Sequence, residues 1–372
     1  MKSILITGGA GFIGVNAAYH FHKCGWQVTI IDDLSRRGAA DNLDWLRRRA
    51  QISFHRADIR DRASVDQLIG EAKPNTVLHL AAQVAVTTSV SDPRSDFEVN
   101  ALGTFNLLEA VRRKSPDSFF INASTNKVYG KMEDLAVIDR NGRYQYRDLP
   151  NGVGEDRPLD FHSPYGCSKG VADQYTIDYA RIYHIRSVSF RQSCIYGPRQ
   201  FGIEDQGWVA WFAIAAVLGQ PITIYGDGKQ IRDVLHVEDL VRAYEAACER
   251  NEEVNGQAFN IGGGPTNILS LLELIDLLEE ELQISLSLSL RWDDWRPGDQ
   301  PVFVCNLEKA QRMLEWQPTI GVRDGVGRLI HWVRDNKELV GRLNPDRDLL
   351  GLTSADRSKR TFSAKRAMRG SM

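Results

Sequence analysis

Ser3-Ile4-Leu5-Ile6-Thr7-Gly8-Gly9-Ala10-Gly11-Phe12-Ile13-Gly14 is a short apolar run that breaks into glycines and then opens a helical stretch. Such a run, bounded by turn residues, reads as a strand buried on both faces of a parallel sheet. Gly8 lets the chain turn sharply. Gly11 keeps a Cβ out of the path of an approaching pyrophosphate, and Gly14 lets the helix pack closely on the sheet. Phe12 and Ile13 lie in the first turn of that helix, whose N–H groups lack partners and carry partial positive charge. A glycine triplet alone is weak evidence. Here an acid, Asp32, ends the second strand about twenty residues further on, as a dinucleotide site requires. Its carboxylate can accept hydrogen bonds from ribose hydroxyls and repels a 2′-phosphate, which favours NAD over NADP. Asp33, Ser35 and Arg36 follow in the same turn, and Arg36 with Arg37 softens that preference. Asp58 and Ile59 follow the third strand, where an adenine edge would lie. Asp58 is equally suited to capping the next helix.

Similar apolar runs recur at 27–31, 52–55, 76–80, 118–122 and 186–191, with helical stretches at 11–24, 62–72 and 101–114. Strand and helix in alternation predict an α/β fold, a Rossmann-type doubly wound parallel sheet. Residues 131–163 interrupt the pattern with turn residues such as Asn141-Gly142 and read as an irregular loop. After Pro198 a helix at 208–218 and a strand at 222–225 begin a smaller substrate-binding lobe. The expected division is therefore an NAD-binding domain over 1–197, a mainly substrate-binding lobe over 198–335, and a basic, disordered tail over 342–372.

Composition bounds the function. Against 46 basic side chains stand 48 acidic ones, so no global positive field exists to hold a nucleic-acid polymer. No run approaches the roughly 20 apolar residues of a membrane span. The first residues do not resemble a signal peptide, and a cytoplasmic protein is expected. Cys24, Cys167, Cys194, Cys248 and Cys305 are scattered and form no CxxC pair, so spacing indicates neither a disulfide framework nor a metal site.

Tyr165-Gly166-Cys167-Ser168-Lys169 places a tyrosine and a lysine on one face of a helix expected at 168–183. A neighbouring ammonium favours the phenolate, so the phenol can take and return a proton. Two other Tyr-x-x-x-Lys runs lack this setting. Tyr19 to Lys23 lies well past the phosphate end of the first helix, and Tyr225 to Lys229 spans a Gly-Asp-Gly turn. Ligands of open α/β sheets bind at the carboxyl ends of the strands. For the fifth strand that place holds Ser124-Thr125-Asn126-Lys127-Val128-Tyr129-Gly130.

The GxxGxxG spacing, this strand-end run and the Tyr165/Lys169 pair resemble the extended short-chain dehydrogenase/reductase family, the nucleotide-sugar epimerases and dehydratases. The resemblance implies Thr125, Tyr165 and Lys169 as catalytic residues and a tightly held NAD. It adds Leu80, Ala81, Ala82, Gln83 and Asn100 to the cofactor pocket. His79 and His236 read as structural. Members that dehydrate carry two carboxyls after the threonine, as acid and base for water elimination. This chain has Asn126-Lys127, which favours epimerisation.

Ile222 to Asp227, Arg232 to Val237 and Arg296-Pro297-Gly298-Asp299-Gln300 resemble the family's nucleotide-diphosphate elements. They imply Arg232 and Arg296 on the diphosphate, Asp299 on a ribose and Tyr225 against the base. Asn126, Gln192, Arg199, Trp208 and Val209 complete the implied substrate contacts. Residues 33–39, 125–130, 159–170 and 205–209 are similar to a narrower group, epimerases acting at C2 of CDP-linked hexoses. Asp33 departs from the asparagine usual in that group. The resemblance further implies a homodimer or homotetramer through the helices beginning near Asn100 and Ser168. The alternatives left open are epimerisation at C4 of a UDP-hexose and a catalytically silent NAD-binding regulatory protein.

Overall fold

The computed structural model describes residues 1–296 and 299–344. Seven parallel strands form the main sheet: β1 (Ser3–Thr7), β2 (Gln27–Asp32), β3 (Ile52–Arg56), β4 (Thr76–His79), β5 (Phe119–Thr125), then, from further along, Ser187–Gln192 and Gln257–Ile261. Their side chains alternate between two buried faces. Leu5, Val77 and Phe120 point to one core, and Ile4, Ile6, Leu78 and Ile121 to the other. This is why the strands read as continuous apolar runs rather than as alternating ones.

Between β5 and the next strand of that sheet the chain forms a hairpin, β6 (Val137–Arg140) and β7 (Arg143–Tyr146). Its two-residue turn is Asn141-Gly142, with φ of 56° and 79°, the paired positive values of a type I′ turn. Part of the expected irregular loop is therefore ordered strand. The remaining strands are β8 (Ser187–Gln192), β9 (Cys194–Tyr196), β10 (Ile222–Tyr225), β11 (Ile231–His236), β12 (Gln257–Ile261), β13 (Ile268–Ser270), β14 (Leu290–Asp293) and β15 (Val302–Phe303).

Spatial order in the main sheet is β12-β8-β5-β4-β1-β2-β3. The order reverses between β1 and β4, which pair Thr7 with His79 at their carboxyl ends. An open α/β sheet binds its ligand at that point. β12 comes from beyond residue 198, so the sheet takes an edge strand from the segment read as the second lobe.

The helices flanking the first half are α1 (Phe12–Lys23), α2 (Ala39–Arg47), α3 (Arg62–Ala72), α4 (Val86–Ser91), α5 (Pro93–Phe97), a π-turn at Glu98–Leu102, α6 (Gly103–Lys114) and α7 (Ser163–Tyr183). The α7 helix starts five residues before the expected position, with Pro164 in its first turn, where a missing N–H costs nothing. The cap of α3 is Asp61, which accepts from Ala63 and Ser64 N–H, so Asp58 is not the capping residue.

The second core gathers around α8 (Trp208–Leu218), with α10 (Leu271–Leu282) and α12 (Val322–Asp335) packed on it. α8 is apolar all round because it is enclosed. Among the described residues no helix is long and apolar enough to cross a membrane. α9 (Val237–Glu249) and α11 (Glu308–Leu314) return to the main core, where Leu240, Val241, Tyr244, Ala310 and Leu314 are buried. α13 (Lys337–Leu343) includes Arg342, which pairs with Asp41, so the expected tail begins as helix; residues 345–372 of it lie outside the described residues.

Candidate active site

The glycine run at the end of β1 is shaped by close contacts. Gly8 has φ of 67°, and a Cβ there would lie 2.7 Å from the backbone nitrogen of Ala81. A Cβ on Gly14 would lie 2.1 Å from the Gly8 carbonyl. Both are therefore fixed by the fold. Gly11 differs, because its Cβ would meet only the Gly8 carbonyl, at 3.1 Å. It keeps an approach path clear. Helix α1 has no side-chain cap and no acid in its first turn, so its terminal N–H groups and positive end remain available to an anion.

Asp32 is buried beside this turn. Its Oδ2 accepts from Ala10 N–H at 3.0 Å and its Oδ1 from Leu34 N–H at 2.8 Å. Burial pushes the carboxyl up and the two N–H groups draw it back. A carboxylate has about four acceptor positions, so room remains for two ribose hydroxyls. Asp33 Oδ1 accepts from the Ser35 N–H and hydroxyl at 2.9 and 2.7 Å, which fixes the turn carrying Arg36. Asp58 lies at the rim and chelates Arg60 at 2.6 to 3.1 Å. Ile59 turns inward under Gly103. The residues present fit a dinucleotide.

At the end of β4, Thr7 Oγ1 accepts from the N–H groups of Leu80 and Ala81, both at 3.2 Å. Gln83 and Asn100 lock together: Gln83 N–H donates to Asn100 Oδ1 and Asn100 Nδ2 to the Gln83 carbonyl, each at 3.0 Å. Asn100 also donates to Asp96 and to Ser168 Oγ, one turn from Tyr165 on α7. The π-turn at Glu98–Leu102 carries Asn100 at this junction. Asp96, buried in the same cluster, carried no motif and was not anticipated. His79 bonds Thr7 Oγ1 and Thr104 Oγ1 at 2.7 and 2.9 Å, and burial pulls it down to about 3, so it is neutral. His236 accepts Glu238 N–H as the cap of α9. Both histidines do structural work.

Thr125 ends β5, Tyr165 and Lys169 share α7, and all three are nearly enclosed. Gly130 ties the two segments together: with φ of 71°, its Cβ would lie 2.3 Å from the Asp160 carbonyl, just before α7. The Thr125 hydroxyl donates to Asn126 Oδ1 at 3.3 Å. Burial raises the phenol to about 12. Thr125 and the positive charge of Arg36 oppose it, and Asp96 adds to the rise. The sequence assigned the cationic role to Lys169. In the structure Lys169 Nζ donates to the Ala123 carbonyl. Burial also lowers Lys169 to about 8, against the pull of Asp173 and Asp96.

A second charged group faces this set. Lys127 Nζ, half-buried, donates to Gln300 Oε1 at 3.3 Å, and burial with the repulsion of Arg232 brings it to about 8. Arg232 Nη2 donates to Asp299 Oδ1 at 2.6 Å. The Arg296 guanidinium stacks 4.0 Å from the Tyr225 ring, whose hydroxyl donates to Glu204. Cys194 lies in the fields of Arg232 and Lys127. Lys127 and Gln300 were not among the anticipated contacts, although both stand inside quoted motifs.

Three anticipated contacts are engaged elsewhere. Val209 is buried in the second core. Gln192 sits opposite Thr125 in the sheet but donates its amide to Tyr244 at 2.6 Å. Arg199 stacks between Trp45 at 4.4 Å and Trp332 at 5.8 Å, against α2 and α12.

A seven-stranded parallel sheet with a glycine turn, a buried ribose-side acid and a Thr-Tyr-Lys set defines an extended short-chain dehydrogenase/reductase. The chain belongs to this group, in the family described as GDP-mannose 4,6 dehydratase, whose model matches residues 5–329. It is similar to CDP-paratose 2-epimerase of Salmonella typhi, 46% identical over 334 residues that cover 88% of this chain and 98% of that one. It is 33% identical to dTDP-glucose 4,6-dehydratase of Neisseria gonorrhoeae, covering 90% of this chain and 96% of that one. Among solved structures it resembles UDP-glucose 4-epimerase of Thermus thermophilus in complex with NAD, with TM-score 0.75, 30% identity and coverage of 90% and 99%. The chain is thus an enzyme of the NAD-dependent epimerase and dehydratase class, and its cofactor is NAD.

Proposed function

We propose that the protein is a nucleotide-sugar 2-epimerase acting on a CDP-linked hexose of the paratose and tyvelose type. The observation that carries this reading is the 46% identity to a CDP-paratose 2-epimerase along nearly its whole length. The strand-end run adds to it. Asn126 cannot exchange a proton and Lys127 is not a carboxylate, so the two acids needed for water elimination are missing after Thr125. NAD, when bound among Gly8, Gly11, Gly14, Asp32, Arg36 and the β4-end residues, supplies a reversible two-electron acceptor.

The protein's own groups handle the proton. Tyr165 Oη takes it from the sugar hydroxyl as the carbon is oxidised, and returns it on re-reduction. Thr125 Oγ1 holds the same sugar oxygen. Net redox is zero if the keto-sugar turns its other face between the two steps. Arg232 and Arg296 suit the diphosphate, since a guanidinium fork matches phosphate oxygens. Asp299 and Tyr225 are placed for the nucleoside.

The protein is incubated with CDP-paratose, CDP-tyvelose, CDP-glucose, UDP-glucose and UDP-galactose, without added NAD, and products are identified by NMR. Interconversion of the first two is expected. Turnover of UDP sugars at C4 with none of the CDP sugars overturns the reading and favours a UDP-hexose 4-epimerase, which the resemblance to the Thermus enzyme supports.

The same reading includes association through α5, α6 and α7. Phe97, Leu102, Phe105, Tyr175, Ile182 and Tyr183 leave 39 to 57% of their surface exposed there, much for aromatic and aliphatic side chains on neighbouring elements. A second copy of the chain is the proposed occupant, and light scattering gives the mass.

A further inference from the structure

Helix α1 carries the phosphate turn at one end and a second group of side chains at the other. His20 and Cys24 are four residues apart and share one face. α1 packs against α9, which brings Glu245 to the same place across 221 residues of sequence. His20 Nε2 lies 2.9 Å from Glu245 Oε2 and 3.6 Å from Cys24 Sγ, and Cys24 Sγ lies 3.5 Å from Glu245 Oε1. All three ligand atoms fall within 4.8 Å of one another.

We propose that His20, Cys24 and Glu245 form a binding site for a divalent zinc-like cation that joins α1 to α9.

Two features separate this from a chance polar cluster or a catalytic relay. A relay through histidine uses both ring nitrogens, one for each partner. Here thiol and carboxylate converge on the same nitrogen, Nε2, as ligands around a common point do. The distances also match. Zinc bonds of about 2.3 Å to sulfur and about 2.0 Å to nitrogen or oxygen, at tetrahedral angles, give ligand edges of about 3.3 to 3.6 Å. The Cys24 Sγ separations from His20 Nε2, 3.6 Å, and from Glu245 Oε1, 3.5 Å, already have these lengths. The shorter contact, His20 Nε2 to Glu245 Oε2, is a hydrogen bond; when Nε2 takes the cation the ring proton moves to Nδ1.

Charge points the same way. A thiolate, a carboxylate and a neutral imidazole carry two negative charges, which one divalent cation balances. The cluster is accessible: Cys24 is exposed, and His20 and Glu245 keep 31% and 30% of their side-chain surface. The donor set of imidazole, thiolate and carboxylate suits zinc rather than calcium or magnesium. Sequence spacing alone indicated no such site because one ligand comes from a distant helix. Binding releases the thiol proton to solvent and changes no oxidation state.

The test uses tag-free, chelator-stripped full-length protein titrated with cobalt(II), then with zinc(II). One cobalt per chain is expected, with a sulfur-to-cobalt charge-transfer band and the intense visible bands of tetrahedral cobalt, both bleached by zinc. Cys24→Ser should abolish the charge-transfer band, and His20→Ala should weaken uptake at least tenfold. Cys167→Ser, which removes the other exposed thiol, should leave both unchanged. NAD content and the unfolding midpoint establish that each variant is folded. Absence of a tetrahedral spectrum in the parent protein, or its persistence in Cys24→Ser, overturns the site.

Discussion

Lys127 Nζ lies 3.3 Å from Gln300 Oε1, and the two residues are 173 positions apart in the sequence. Burial holds this ammonium at about 8, in the fields of both Arg232 and Asp299. A diphosphate entering beside Arg232 would draw Lys127 back to its charged form. Lys127→Met is therefore expected to raise KM for the nucleotide sugar about tenfold, the effect of about 1.4 kcal/mol, with a smaller change in kcat. In the parent protein KM should rise as pH passes 8 and Lys127 loses its proton. The variant should lack that rise. Steady-state kinetics from pH 6.5 to 9 checks both.

Tyr165→Phe removes the proton carrier and little else. Turnover is expected to fall about 10² to 10⁴-fold, the usual worth of a positioned acid-base group. Bound NAD and the unfolding midpoint should be retained. Activity within about tenfold of the parent would show that another group moves the proton.

Lys169 carries a cost to stability that can be measured. Its folded pKa, about 8, lies below the ordinary lysine value of 10.5, so between these values the unfolded chain binds the extra proton. Stability then rises with pH across that window, and below pH 8 the full cost applies. At about 1.4 kcal/mol per unit the cost is up to about 3 kcal/mol. Lys169→Met removes it but orphans the Ala123 carbonyl, which costs about 1 to 3 kcal/mol. Near-parental stability at pH 7, lost activity and a flattened pH dependence between 8 and 10.5 are expected from denaturant melts.

Gly8 and Gly11 should separate when each is changed to alanine. Gly8→Ala places a Cβ 2.7 Å from the Ala81 backbone at positive φ, so it should lower stability by at least about 1 kcal/mol as well as NAD content. Gly11→Ala meets only one carbonyl at 3.1 Å and should fold normally. Its loss should be confined to NAD affinity. Calorimetry with NAD, beside a thermal melt, distinguishes the two.

Arg199→Leu tests a contact that sequence resemblance placed at the substrate. Its guanidinium lies over Trp45 and Trp332. Losing two cation–π contacts should cost about 1 to 2 kcal/mol of stability. KM for the nucleotide sugar should stay within about twofold of the parent. A large KM effect with unchanged stability would return Arg199 to the substrate site.

Much of the fold was legible in local patterns. Strands buried on both faces announce themselves as continuous apolar runs, and Gly8, Gly14 and Asp32 sit where a dinucleotide turn needs them. The hairpin at Val137–Tyr146 was missed, although Asn141-Gly142 is a type I′ signal, because its strands carry polar residues, Asp139 and Arg140 exposed and Arg143 and Gln145 half-buried. The sequence left Asp58 as suited to capping α3 as to meeting an adenine edge; the cap is Asp61, because Asp58 and Asp61 are both acids in one turn and only backbone direction chooses between them.

The sequence by itself determined six strands of the sheet, the phosphate turn and the spacing of Tyr165 and Lys169, because each depends on residues close together in the chain. Tertiary structure alone decided that β12 closes the edge of the sheet, that Arg199 lies between two tryptophans, and that Lys127 meets Gln300. It also decided that Glu245 joins His20 and Cys24. Those outcomes rest on distances between segments and on the loss of solvent around buried charge. Neither quantity exists until the chain has folded.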